Sequence, residues 1–111
     1  MAKEYYEKLQ HLIELLDFSQ DISTSIEIKH FFSGAALYIK GGMCASLSPV
    51  GLAFKLPVEL TTELINQNLG TALKYFPKGN IKKDYVVFSS PDLTSNKWKD
   101  YFLKAFKEVA N

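Results

Sequence analysis

The stretch from residue 26 to residue 57 constrains the fold more than any other part of the chain. Its sequence, IEIKHFFSGAALYIKGGMCASLSPVGLAFKLP, consists of short apolar runs separated by glycine-containing turns. Apolar and charged residues alternate in the first run, which is typical of a strand with one buried and one solvated face. The connections between the runs are too short to hold a crossover helix. The stretch therefore predicts an antiparallel meander.

The turns divide this stretch into four strands, which are predicted at Ser23–Phe31, Ala35–Lys40, Met43–Leu47 and Leu52–Lys55. The pair at 41–42 suits a two-residue hairpin because glycine adopts positive φ at little cost. Residues 48–51, with the sequence SPVG, predict the next turn. The glycines are expected to mark structural turns, with Gly70 stopping the second helix, and they are Gly34, Gly41, Gly42, Gly51, Gly70 and Gly79.

Two helices are predicted on either side of the meander. The first, Ala2–Asp17, repeats apolar residues at helical spacing, with charged residues on its other faces. The second, Pro57–Leu69, starts with a proline and an acidic residue and is expected to stop at Gly70. Its buried stripe is predicted at Leu60 and Leu64, and Thr61 is expected on the solvated side.

The last third of the chain predicts two strands and a helix. The strands are expected at Ala72–Phe76 and Ile81–Ser89, joined by a turn at residues 77–80. Thr94 or Ser95 is expected to cap the final helix. This helix carries the clearest apolar stripe in the chain, which consists of Trp98, Tyr101, Phe102, Ala105, Phe106 and Val109.

The predicted order is therefore α-β-β-β-β-α-β-β-α. Five to six antiparallel strands with three helices on one face make an α+β domain. The 111 residues correspond to one domain, 1–111.

Composition excludes some classes of protein. The chain is 47% hydrophobic and 23% charged with a net charge of +1, so its overall charge does not attract it to nucleic acid or acidic lipid. It contains no arginine, the residue most used to bind phosphate and guanine bidentately. A single cysteine forms no internal disulfide. No apolar run is long enough for a signal peptide or a membrane span, so we expect a cytoplasmic protein without membrane contacts.

Catalytic and metal-binding residues are not indicated by the sequence. Cys44 could act as a nucleophile only beside His30, and no third residue suggests itself to orient the histidine. We interpret Cys44 as a buried structural side chain. The two histidines lack metal-ligand spacing, and no phosphate-binding glycine loop occurs. No cofactor is expected.

One basic segment stands out in a chain of nearly balanced charge. We define the lysine surface as Lys74, Lys78, Lys82 and Lys83 with Tyr85. Lysines interleaved with aromatic residues are typical of weak contacts with nucleic acid or an acidic partner. The alternative is a solvated hairpin whose lysines protect a strand edge, and we favour it.

Residues 32–45, FSGAALYIKGGMCA, resemble the N-terminal domain of the TfoX/Sxy competence regulators, which carries a Phe-Gly-Gly, Gly-Leu-Tyr and Gly-x-Met-Phe-Ala run. Residues 52–57 are similar to the apolar strand that precedes a helix in this family. Residues 75–79 and Tyr85 are similar to the family's later turn and aromatic strand. Ser33 and Ala36 stand where that family prefers glycine, Cys44 replaces an aromatic residue, and Lys29-His30 stand where arginines are common.

The resemblance implies an α+β fold and a role in bacterial competence or transcription control through protein partners. It implies no catalytic residues. Our leading hypothesis is therefore a non-enzymatic interaction domain. The alternatives are a nucleic-acid-binding accessory domain that uses the lysine surface and a small enzyme or ligand carrier. A sheet edge or a leftover apolar face could also support a homodimer.

Overall fold

The computed structural model describes residues 3–18, 25–31, 34–73, 82–89 and 91–110, with the backbone alone at 31, 73, 82, 83 and 110. This part of the chain contains three helices and a six-stranded antiparallel sheet in the predicted order, so the α+β class is confirmed. The elements are α1 (Lys3–Leu16), β1 (Ile26–Phe31), β2 (Gly34–Ile39), β3 (Gly42–Ser48), β4 (Gly51–Lys55), α2 (Val58–Asn66), β5 (Thr71–Leu73), β6 (Lys82–Phe88) and α3 (Lys97–Ala110).

The strands lie in the order β1-β2-β3-β4-β6-β5. The first four form the meander that the short turns predicted. β6 then pairs with β4 on one side and with β5 on the other, so β5 lies at the edge of the sheet. Residues 74–76 of the predicted fifth strand, the turn at 77–80 with Gly79, and residues 23–24 of the predicted first strand lie outside the described residues.

All three helices pack on one face of the sheet. α1 contacts β1, β2 and β3, α3 contacts β2, β3 and β4, and α2 contacts β5 and β6. The apolar stripe of α3 is buried as predicted, with Tyr101 and Val109 at its partly exposed margins. Burial of each large side chain stabilises the fold by roughly 1.5–3 kcal/mol. The core is aromatic under α3, where Phe54 and Phe102 meet edge to face with their ring centroids 4.8 Å apart.

The other face of the sheet carries a smaller apolar cluster. Ala53, Tyr85 and Val87 are buried there, and Met43 packs against them. The Tyr85 hydroxyl donates a hydrogen bond of 3.2 Å to the Met43 carbonyl. This bond joins β6 to β3 across the intervening strand β4.

The β2–β3 hairpin turns one residue earlier than predicted. Ile39 pairs with Gly42, so the two turn residues are Lys40 and Gly41, with φ of 52° and 82°. Positive φ at both central residues matches the twist of the strands that they join. Gly42 belongs to β3 instead, where a Cβ would lie 2.5 Å from Cγ1 of Val109 in α3.

The prediction that Gly70 ends the second helix was wrong. The helix ends at Asn66, and Asn68 takes the left-handed conformation with φ of 61°. The Leu69 N–H donates to the Leu64 carbonyl at 3.0 Å, a bond that caps the helix end as in a Schellman motif. Gly70 is required for a different reason, because a Cβ there would lie 2.5 Å from Cγ2 of Val86.

Candidate interaction site

Cys44 is an unsuitable nucleophile. The β2–β3 register shifts between Leu37 and Tyr38, which leaves Cys44 as an extra residue on β3 that faces the core. Its thiol donates a hydrogen bond of 3.2 Å to the Leu37 carbonyl. Burial raises the pKa of the Cys44 thiol to about 12, so the reactive thiolate is scarce at neutral pH.

His30 does not meet Cys44. It lies on edge strand β1, where its ring stacks on Tyr6 of α1 with centroids 4.9 Å apart. β2 lies between β1 and β3, so the two backbones are about 9–10 Å apart. Within the described ranges, no group of three or more His, Cys, Asp or Glu side chains could hold a metal ion.

The lysine surface is described only in part. Lys74 and Lys78 lie outside the described residues, and Lys82 and Lys83 begin β6 with their backbone alone described. Tyr85 is 9% exposed, so its ring offers little area for stacking on a base or on a partner. The lysine surface stays a prediction, and a gel-shift assay at low and moderate salt tests it.

A cleft in the described part of the chain lies at one end of the sheet, between the α2–β5 connection and the start of α3. Its volume is about 370 Å³, within the range of pockets that hold small ligands or partner side chains. Leu69, Gly70 and Thr71 line one side. The loop that enters α3, with Pro91 and Asp92, lines the other. The floor is formed by Val87 and Phe88 at the end of β6 and by Ser89, which follows the strand.

Trp98 anchors the α3 side of the cleft. Its Nε1 donates a hydrogen bond of 2.7 Å to the Asp92 carbonyl, which holds the preceding loop against the helix. Its ring meets Phe88 edge to face with centroids 5.1 Å apart, so β6 and α3 are locked together beneath the cleft. The ammonium group of Lys97 lies 4.7 Å from the centroid of the Trp98 ring, a cation–π contact.

Two opposite charges border the cleft. The Asp92 carboxylate accepts hydrogen bonds from the N–H and hydroxyl of Thr94, at 3.0 and 2.6 Å. The bond from the hydroxyl is the main reason that the pKa of Asp92 lies below its usual value. Lys97 supplies the positive charge. A bound group therefore meets an aromatic floor with one anion and one cation at the border.

Exposed apolar residues stand beside the cleft. Leu69 is 54% exposed on its border, and Val50 is half exposed in the β3–β4 turn. Gly51, which follows Val50, approaches Phe88 and Ser89 so closely that a Cβ would lie 3.0 Å from the Ser89 Cα. The turn and the cleft are therefore neighbours at the same end of the sheet.

Sequence reasoning did not find this cleft. Its two walls come from residues 68–71 and 91–98, about twenty residues apart in the chain, which meet because β5 pairs with β6. The local signal lay in residues 89–96, SSPDLTSN, where Thr94 or Ser95 was predicted to cap the final helix. Ser95 caps the start of α3 in the structure, because its Oγ accepts a hydrogen bond of 3.2 Å from the Lys97 N–H. The pattern carries no information about what faces the loop.

Comparison with known proteins gives no relative. No family model matches the chain, and no curated protein or solved structure matches it. The resemblance to the TfoX/Sxy domain therefore stays a prediction from the residues. In the described part of the chain, no helix combines the length and apolar character needed to cross a bilayer.

Proposed function

We propose that this protein is a non-catalytic cytoplasmic interaction domain of the TfoX N-terminal type, which acts by binding another protein. The observation that carries the proposal is the cleft at the α2–β5 end of the sheet, with exposed Leu69 on its border. Protein interfaces are typically organised around an apolar anchor that fills a pocket, with polar groups around it. The cleft offers that arrangement.

The proposed partner inserts one apolar side chain above Phe88 and Trp98. Leu69 and Val50 then contact the flanks of the same segment, which removes their exposed surface from water. The Asp92 carboxylate accepts hydrogen bonds from the polar groups of the segment, and the Lys97 ammonium donates hydrogen bonds to them. The burial of Cys44 supports binding rather than nucleophilic chemistry as the role of this domain.

The process that the resemblance implies is the control of competence or transcription in a bacterium. In this proposal the domain acts through its partner and does not itself read a base sequence. Deletion of the gene should then change the transcript levels of competence genes. The variant Leu69→Ser should reproduce the change if the cleft is the site of contact.

Site-specific photo-crosslinking in the native cell tests the proposal. A photoreactive residue placed at 69 should capture a defined partner, whereas one placed at 58 should not. Val58 is a matched control because it is apolar and 50% exposed, against 54% for Leu69, and it begins α2, whereas Leu69 lies beyond the other end of that helix. Equal capture from both positions, or none from position 69, would contradict the proposal.

A second candidate function, the binding of a small ligand, is favoured by the volume of the cleft. Trp98 is the only tryptophan in the chain, so its fluorescence reports directly on the cleft. A compound that raises the melting temperature and changes this fluorescence would favour a ligand carrier. Partner capture at position 69 without such a compound would favour the interaction domain.

A further inference from the structure

Among the strands that the structure describes, β1 lies at one edge of the sheet. It is the first strand in the sheet order and pairs with β2 on one side. Among the described strands, none lies on its other side. The outward N–H and C=O groups of such a strand are able to pair with another strand. The six residues Ile26–Phe31 span about 20 Å, enough for several such bonds.

Two opposite charges, on Glu27 and Lys29, lie one residue before and one residue after Ile28. Glu27 and Lys29 lie on the face away from the helices, because their partners Tyr38 and Ala36 are outside the core cluster under the helices, to which Leu37, the partner of Ile28, belongs. Both are exposed, and the Lys29 Nζ lies 3.7 Å from the Glu27 Oε1. The Lys29 ammonium also lies 5.0 Å from the centroid of the Tyr38 ring. An acid and a base thus flank a central isoleucine.

We propose that β1 pairs with β1 of a second copy of this chain, antiparallel and about a two-fold axis at Ile28. In this register, Glu27 lies opposite Lys29 of the second copy, and Lys29 lies opposite its Glu27. Directly opposite residues bring their Cβ atoms to about 4.5–5.5 Å, so both charge pairs are attractive. A two-fold axis at Ile28 is possible whether the two Ile28 residues form a hydrogen-bonded or a non-hydrogen-bonded pair.

The neighbouring registers are unfavourable. A two-fold axis at Glu27 places the two Glu27 carboxylates opposite each other, and an axis at Lys29 does the same with the two ammonium groups. A parallel, in-register pair also stacks like charges. Like charges directly opposite are destabilising, so the charge pattern favours the axis at Ile28 over these three arrangements. A strand edge that serves only to prevent pairing would not need opposite charges at equal distances from its central residue.

The apolar side of the strand supports the same pairing. Ile26 and Ile28 are only partly buried against the core. In the proposed dimer, Ile28 contacts Ile28 of the second copy and Ile26 lies opposite its His30. The interface is small beside the roughly 1,200–2,000 Å² of stable complexes. We therefore expect a weak dimer whose affinity falls as salt screens the exposed charges.

Charge reversal with mixing tests the proposal by analytical ultracentrifugation at low and high salt. Glu27→Lys alone and Lys29→Glu alone should each weaken the dimer about tenfold or more, because both cross-strand pairs become repulsive. An equimolar mixture of the two variants should dimerise, since a strand that carries two lysines then faces a strand that carries two glutamates. The double reversal Glu27→Lys/Lys29→Glu should dimerise with itself but not with the unaltered chain.

The control is Asp100→Lys, which reverses an exposed charge on α3, away from β1. It should dimerise like the unaltered chain, and so should Leu69→Ser, which separates this proposal from the one for the cleft. A monomer at every concentration for the unaltered chain would overturn the proposal. So would equal dimerisation of the unaltered chain and both single variants. Circular dichroism verifies that each variant is folded.

Discussion

The Trp98 indole and the Asp92 carbonyl are joined by a hydrogen bond of 2.7 Å, which connects the buried face of α3 to the loop that precedes it. The indole ring is buried, stacked on Phe54 with centroids 6.0 Å apart and packed against the edge of Phe88. One side chain thus secures the core, the helix start and a wall of the cleft.

The first prediction concerns the stability that Trp98 supplies. Trp98→Ala should lower the free energy of unfolding by roughly 3–5 kcal/mol, since it leaves a cavity among packed aromatic rings. Trp98→Phe should cost less but should still lose the hydrogen bond to Asp92, worth about 1 kcal/mol net. Urea denaturation measures both. Lys107→Ala, on the exposed side of α3, is the control and should be near neutral; an equally small effect of Trp98→Ala would contradict the prediction.

The second prediction follows from the raised pKa of Cys44. The folded thiol keeps its proton up to about pH 12, whereas the unfolded thiol loses it near 9.0. The protonated Cys44 thiol therefore makes its full contribution to the free energy of unfolding below pH 9. This contribution falls as the pH rises from 9 towards 12, by about 1.4 kcal/mol per pH unit at most. The difference in unfolding free energy between the unaltered chain and Cys44→Ala measures it, because other titrating groups cancel.

The same burial predicts that Cys44 resists thiol reagents. The native protein should react with an aromatic disulfide reagent only as fast as it unfolds, and mild denaturant should release the full signal. Rapid reaction in the native state, or a pH profile shared by the unaltered chain and Cys44→Ala, would contradict the assignment of Cys44 as a buried side chain.

The sequence predicted those elements whose signal is local. The stripe on α3 repeats every three to four residues with large apolar side chains, so its buried face followed from spacing alone. The short turns predicted at 41–42 and 48–51 permitted only antiparallel neighbours, and the pairing is antiparallel although the first turn lies at 40–41. The position of β6 between β4 and β5 has no such signal, because it depends on how a distant strand packs beneath α2.

Two local errors show where residue type misleads. Asn68 and Gly70 both tolerate positive φ, and the usual preference of helix C-termini for glycine favours Gly70. In the structure, the cap bonds from residues 68 and 69 place the left-handed residue at Asn68 instead. Thr61 was assigned to the solvated side of α2 because it is polar. It lies three residues before Leu64, which places both on one helix face, and it is 1% exposed.

The third prediction concerns this buried threonine. Within the described part of the chain, the Thr61 Oγ1 has no hydrogen-bond partner, although it is inaccessible to solvent. A buried hydroxyl without a partner costs stability, and valine has nearly the same shape. Thr61→Val should therefore raise the free energy of unfolding by about 1 kcal/mol. The exposed neighbour provides the control, since Thr62→Val should change stability little; a loss of stability in Thr61→Val would show that the hydroxyl is satisfied.

The fourth prediction compares two glycines with positive φ. Gly41 has φ of 82°, and no atom of the described residues lies within 4 Å of a Cβ built there, whereas Gly51 has φ of 131° and lies against Phe88 and Ser89. Alanine at position 41 meets only the backbone strain, about 1–2 kcal/mol. Alanine at position 51 adds a collision between its Cβ and the Phe88 carbonyl, for a further 1–3 kcal/mol, roughly the usual cost of overpacking. Thermal and urea denaturation of the two variants should show that Gly51→Ala is clearly the less stable.

Gly51→Ala should also change the fluorescence of Trp98, because Phe88 packs on Trp98 and both residues line the cleft. Equal losses of stability would mean that backbone strain alone decides both positions and that β4 is free to move away from the end of β6.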